Sequence, residues 1–246
     1  MKKIYTLSLS LIFFWNCQGT AQSTDPTPVH ETFKIESKEV KETRTMNVWL
    51  PEDYATSTLS YPVLYMPDGG IQEDFPHIAN TLSELINAKK IPPFILVGIE
   101  NTQRRKDLSP PTQVEKDKEI APVVGGSGEF RAFIQNELFP YINSNYRTNA
   151  EKGIIGESLA GLFVTETLMK KPEMFDFYIA FDPSIWWNDQ NLVKTAKENL
   201  TKFPSDKKRF WFAGSDAKDI YKNTRNLKKE LETFAPENLI WMYSDE

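Results

Sequence analysis

The chain has 246 residues, with 29 Lys+Arg against 34 Asp+Glu, a net charge of −5, one Cys and two His. Its 40% hydrophobic content is enough for one sizeable core, and the acidic balance with dispersed Lys and Arg excludes a nucleic-acid surface, which needs a concentrated basic footprint. A single Cys rules out a disulfide framework or a Cys-rich zinc centre, and two His leave little for a His-built metal site, so no metal and no organic cofactor is expected.

Residues 1–21 read as a targeting segment. Met1-Lys2-Lys3 is a basic start, Ile4 to Trp15 an apolar or hydroxylated run, and Gly19-Thr20-Ala21 offers small residues for cleavage before Gln22. The run is too short for a spanning helix of about 20 residues, so export to the periplasm or the medium is expected without stable membrane insertion. Cys17 raises a lipoprotein reading, but Phe14-Trp15-Asn16 is a poor approach to a lipidated cysteine. Residues 22–32, polar and Pro-containing, read as a flexible lead-in.

Residues 33–246 read as one domain. Phe33 to Val40 and Thr43 to Leu50 form an antiparallel pair around Lys41-Glu42, with Met46, Val48 and Leu50 alternating. Pro62 to Met66 and Pro93 to Ile99 are unbroken apolar runs, as expected of strands buried on both faces, with a helix over Phe75 to Ala88 between them. Asn101 to Gly128 reads as a long polar loop, and Phe130 to Tyr146 as an amphipathic helix. Then follow strand 153–155, helix 159–169, strand 177–181, a helix near 192–200, strand 209–213, helix 221–234 and strand 238–243. This alternation predicts an α/β fold: a mostly parallel sheet, a leading antiparallel hairpin and helices on both faces.

Ile154-Ile155-Gly156-Glu157-Ser158-Leu159-Ala160-Gly161-Leu162 lies between a buried strand and an apolar helix, the context of a nucleophile elbow. A sharp reversal there would strain Ser158 and project its hydroxyl over the sheet edge. Small residues at 156 and 160 would let helix and strand approach, and the Leu159 N–H could donate to an oxyanion. The plainer reading is a glycine-rich turn with an N-capping serine. Tyr65-Met66-Pro67-Asp68-Gly69-Gly70 leaves the first buried strand, where a second oxyanion donor is expected: Gly70 first, Gly69 second. The plain alternative is a tight turn using positive φ at glycine.

These segments, together with Val97-Gly98-Ile99-Glu100-Asn101-Thr102, Arg105-Lys106-Asp107-Leu108-Ser109-Pro110, Glu137-Leu138-Phe139-Pro140 and Pro183-Ser184-Ile185-Trp186-Trp187, resemble the esterase family of α/β-hydrolases. That family includes the enterochelin (siderophore) esterases and lies close to the esterase D-type enzymes. The resemblance runs from about residue 33 to the end and implies the α/β-hydrolase fold and ester hydrolysis. Ala160 departs from the family's usual glycine. An acid is expected after strand 209–213, at Asp216 or next at Asp219, with Asp182 a third option. The fold places the catalytic histidine after the last strand, whereas the two histidines here are His30, in the lead-in, and His77, on or near the helix after Gly70. The domain is therefore expected to lack its C-terminal His loop and last helix, the base lying beyond residue 246. Trp186, Trp187 and Arg105 would border the pocket, with Arg105 alternatively paired to Asp107 or Glu100. The expected substrate is a small-molecule or glycan ester, such as a siderophore or polysaccharide acyl ester. A non-catalytic binding protein of the same fold and an acyltransferase are the alternatives.

Overall fold

The computed structural model describes residues 25–120 and 123–245; the leader expected over 1–21 lies outside them. An antiparallel pair leads, β1 (Glu31–Glu36) and β2 (Thr43–Trp49), with Phe33 opposite Met46. The first strand stops four residues before the expected Val40. Ser37 turns the chain there: its N–H donates to the Glu42 carbonyl and its hydroxyl accepts the Val40 N–H, with Lys41 at φ 57°. The expected flexible lead-in, from residue 25, lies against a helix instead. Asp25 pairs with His77 Nδ1 at 2.7 Å, Asn80 donates to the Pro26 carbonyl, and Glu31 and Thr32 already belong to β1.

The buried runs form β3 (Tyr61–Pro67) and β4 (Ile95–Ile99), parallel neighbours joined through α1 (Phe75–Asn87). After the α2–α5 region described below come β5 (Thr148–Glu157), α6 (Leu159–Lys170), β6 (Phe177–Phe181), α7 (Trp187–Lys194), α8 (Ala196–Thr201), β7 (Lys208–Gly214), α9 (Lys218–Phe234) and β8 (Leu239–Asp245). The eight strands make one sheet in the order β1-β2-β4-β3-β5-β6-β7-β8, antiparallel through β2–β4 and parallel from β4 onward. One face packs on α1 through Leu64, Met66, Leu82 and Leu96; the other carries the larger core around Val63, Phe163, Tyr178 and Phe212. Crossovers that wind helices onto both faces bury the apolar runs on both sides.

The segment 101–128 is not a structureless loop: it holds α2 (Arg104–Leu108) and α3 (Glu115–Ile120). Both are short and mostly polar, so no apolar stripe announces them. The anchor of α2 is a buried ion pair. Arg44 on β2 donates to both Asp107 oxygens at 2.6 and 3.0 Å, the side chains being 1% and 2% exposed, and lies 5.5 Å from the Phe130 ring. The amphipathic helix read over 130–146 is three consecutive helical pieces: α4 (Ser127–Phe133), a π-turn at Ile134–Leu138 and α5 (Phe139–Asn145). The π-turn lets Phe133, Ile134 and Leu138 all face the core.

Helices α7 and α8 replace the single helix read near 192–200. Asn188, Asp189 and Gln190 take left-handed backbone (φ 47–58°), and this turn is held from outside. The Asn188 N–H donates to Asp117, its side-chain oxygen accepts the Gln113 N–H at 3.0 Å, and Trp187 Nε1 donates to the Pro110 carbonyl. The 110–117 and 186–190 segments thus interlock.

Removing one member of a buried ion pair strands the other, at a cost of about 3–5 kcal/mol. Asp107→Ala is accordingly expected to lower stability by that amount in urea unfolding, and a loss below about 1 kcal/mol would show that the pair is not what holds α2 to the sheet.

Candidate active site

Strands β3 and β5 end side by side. Tyr65 is level with Ile154, so Asp68 and Gly69 leave the sheet next to Glu157 and Ser158. Ser158 sits between the last residue of β5 and the first of α6, at φ 57° and ψ −114°. A non-glycine residue pays about 1–3 kcal/mol for such backbone and keeps it only where its surroundings over-determine it. Here they do. The Ser158 N–H donates to the Phe181 carbonyl at 3.0 Å, and the Ser158 carbonyl accepts from the Leu162 N–H at 2.9 Å and the Ser184 N–H at 3.0 Å. A Cβ on Gly156 would lie 2.6 Å from the Ala160 carbonyl carbon, and one on Gly161 would lie 2.8 Å from the Phe181 carbonyl oxygen. Glycine at 156 and 161, rather than the small residue at 160 alone, sets how closely α6 approaches the strands. The Ser158 side chain makes no capping bond, contrary to the plain N-cap reading.

The Ser158 hydroxyl is half-buried, 3.4 Å from the hydroxyl of buried Ser184. Among the described residues neither histidine bonds to it: His77 is paired with Asp25, and His30 Nδ1 contacts the Pro28 carbonyl. Leu159 opens α6, where N–H groups have no intrahelical acceptor.

The Asp68–Gly70 turn differs from expectation. Positive φ falls on Asp68 (58°), not on either glycine. Gly69 is required by contact, since a Cβ there would lie 2.2 Å from the Ile99 nitrogen and 2.3 Å from Gly98 Cα. Its N–H is committed to the Ile99 carbonyl at 2.9 Å, which removes Gly69 as an oxyanion donor. The Gly70 N–H faces a side chain: it donates to Glu73 Oε2 at 2.7 Å.

Of the acid candidates, Asp216 follows β7 and Asp219 stands in the first turn of α9, both exposed. Asp182, at the end of β6, accepts from the Ser215 N–H at 2.7 Å and hydroxyl at 2.6 Å, stapling the β6 and β7 loops together. Trp187 is 2% exposed and bonded to the Pro110 carbonyl, so it supports the rim from within. Trp186 is half-buried, its ring 5.8 Å from that of Trp187. Arg105 is exposed, and Asp107, one partner expected for it, belongs to Arg44.

The arginine directed at the turn is Arg104, which grips Asp68 through Nε and Nη2 at 2.6 and 2.7 Å. Asn101 bridges Asp68 and Glu73 through its amide, at 2.5 and 2.8 Å. The members of this group are about 30 residues apart, and the only signal for it in the sequence is the polar loop that carries Asn101 and Arg104. Carboxylates crowd here. Burial, with Asp68 adding to it, raises the Glu73 carboxyl above the usual carboxylate range against the opposing Gly70 and Asn101 bonds. Burial and Asp68 likewise raise Asp74, and burial followed by Asp74, Asp182 and Asp68 raises Glu157. Burial works against the charge on Arg104, and the Asp68 contacts outweigh it and hold its pKa above the ordinary arginine value.

A strained serine between strand five and the following helix, on this strand order, defines an α/β-hydrolase. Residues 37–242 match the family described as "Putative esterase", and the chain belongs to it. It is 28% identical over 236 residues to the ferri-bacillibactin esterase BesA of Bacillus subtilis, covering 83% of this chain and 80% of that protein. Over 98 residues it is 37% identical to the siderophore triacetylfusarinine C esterase of Aspergillus fumigatus, covering 39% of this chain and 32% of that one. The structure of an IroE-like serine hydrolase from Shewanella oneidensis superposes with TM-score 0.78 at 31% identity, covering 89% of this chain and 73% of the other. Family and relatives together support ester hydrolysis as the activity class.

Glycine at 158 would keep the elbow without the cost of a Cβ, whereas alanine would retain that cost. Ser158→Gly is therefore expected to be about 1–3 kcal/mol more stable than Ser158→Ala in chemical denaturation. Equal stability would mean that the backbone at 158 is relaxed in solution.

Proposed function

We propose that the chain is an exported serine esterase that cleaves carboxylic esters through an acyl-enzyme on Ser158. The observation that carries this reading is the over-determined strain at Ser158, which presents a half-buried hydroxyl beside the free N-terminus of α6. In this reading Ser158 Oγ attacks the ester carbonyl, and the Leu159 N–H, with Gly70 as second donor, receives the negative charge on the carbonyl oxygen. The C–O bond to the alcohol then breaks, the alcohol leaves with a proton, and water releases the acid. The base that takes the serine proton comes from outside the described residues, and Asp216 or Asp219 orients it. The substrate is a siderophore ester, as the activities of the relatives suggest, with an acyl ester on polysaccharide as the other class. A half-buried Trp186 at the rim suits an aryl acyl group.

A non-catalytic binding protein is the rival, and one observation favours it: neither described histidine reaches Ser158. Hydrolysis of p-nitrophenyl acetate separates the two. Ser158→Ala is expected to lower the rate by at least about 10³-fold, and equal rates would remove Ser158 from the chemistry. A panel of catecholate, feruloyl and acetyl esters then ranks the substrate classes by kcat/KM. For export, the mature protein recovered from the producing cell is expected to begin at Gln22 by intact mass; an unprocessed Met1 terminus would contradict it.

A further inference from the structure

We infer that the Glu73 carboxylate occupies the place of a substrate oxyanion at the Gly70 N–H, so that the site rests self-blocked until Glu73 is displaced. This rests on Ser158 being the nucleophile. The geometry is that of an anion in an oxyanion hole: Oε2 is 2.7 Å from the Gly70 nitrogen, and Oε1 accepts from the Asn101 amide at 2.8 Å. The backbone closes the loop, since the Glu73 N–H donates to the Gly70 carbonyl at 3.0 Å and pins residues 70–73 in one tight turn. One N–H cannot serve both a carboxylate and a developing oxyanion, and two negative charges at that spacing repel.

The surroundings make the latch easy to release. Asp68 from the end of β3 and Asp74 from the start of α1 are anionic neighbours, and Glu100 from the end of β4 lies against Gly70. Burial first, and then Asp74, Asp182 and Asp68, raise the Glu157 carboxyl at the end of β5. Arg104 and, beside Asp74, His77 are the basic groups facing them, and Asp68 engages Arg104 through both oxygens. Glu73 is therefore held directly by three neutral donors, the Gly70 N–H, the Asn101 side-chain amide and, at 3.4 Å, the Asn101 N–H, while Arg104, already bound to Asp68, is the cation that favours its charge and Asp68 opposes it. Burial also favours its protonated form, which accepts more weakly from an N–H.

The test is covalent labelling of Ser158 in the full-length protein by a fluorophosphonate. Ser158 Oγ bonds to phosphorus, fluoride leaves, the serine proton goes to the base, and the phosphoryl oxygen takes the oxyanion position. Labelling is read by intact mass, with Ser158→Ala as the blank. Glu73→Ala is expected to label about 10- to 100-fold faster than the native protein at pH 8, at or below the ~10²–10³-fold that one oxyanion donor controls. The ratio of the two rates should fall toward one as pH drops and Glu73 protonates. Glu73→Gln, which keeps the shape and loses the charge, is expected to lie between them, and it carries the comparison if Glu73→Ala does not fold. Native labelling with no gain in either variant overturns the latch alone. A gain that does not change with pH also overturns it, because Glu73 would then act through bulk. Absence of labelling in native and variant proteins alike removes the nucleophile and the latch with it.

Discussion

The close approach of α6 to the ends of β5 and β6 governs this molecule. Gly156 and Gly161 leave no room for a Cβ, so the helix seats against backbone, and the chain between strand and helix has too little length to relax. Every main-chain polar group at Ser158 is then engaged by an element that cannot move independently: Phe181 on β6, Leu162 on α6 and Ser184 in the following loop. Strain of about 1–3 kcal/mol at one residue is small beside the burial of a helix from which Leu162, Phe163, Val164 and Leu168 are all removed from water, at about 1.5–3 kcal/mol each. The fold maintains the elbow because opening it would unseat α6.

A second anchor acts on the rim. Arg44 and Asp107 bury a bidentate ion pair that fixes α2 to β2, and α2 brings Arg104 against Asp68 at the end of β3. Buried pairs of this kind contribute little net stability over an apolar substitute, but they specify which arrangement is adopted. The interlocked 110–117 and 186–190 segments extend the same frame toward Trp186. Positions around Ser158 are thus set by the sheet on one side and by polar clamps on the other.

The parts legible from the sequence are those in which local pattern and tertiary context agree. The apolar runs of β3 and β4, the α6 segment and the small residues around Ser158 each carry their own signal, and the parallel direction of the strands, though not their order, follows from alternation with helices. The failures share a cause. Helices α2 and α3 are polar and short, α2 held by Arg44 on β2 more than 60 residues away and α3 through Asp117 by Asn188 some 70 residues on, so no local periodicity could reveal them. Arg104 and Arg105 are adjacent in sequence, and which of them faces Asp68 depends on helical phase in α2, an element with no signal of its own. Gly69, the second oxyanion candidate, gives its N–H to Ile99 and its missing side chain to the crossing of β4, and the indole of Trp187, a pocket-wall candidate, supports the rim from beneath. The Glu73–Gly70 contact spans only three residues, yet a turn with that carboxylate reads as solvated surface until its neighbours are placed.

The charge balance of the site follows from where its positive groups come from. Arg104 is the guanidinium at the turn, and Asp68 takes it with two hydrogen bonds, while Asp74, Glu157, Glu73 and Asp182 stand nearby. A centre that stabilised negative charge through side-chain cations would be disabled by such company. One that relies on N–H dipoles fixed by a strained elbow and a helix start is not, because those donors cannot be neutralised by a neighbouring carboxylate; they can only be occupied by one. The crowd of carboxylates is therefore compatible with the proposed anion stabilisation at the backbone, and under that proposal occupancy of the N–H groups, rather than net charge, decides whether the site is open.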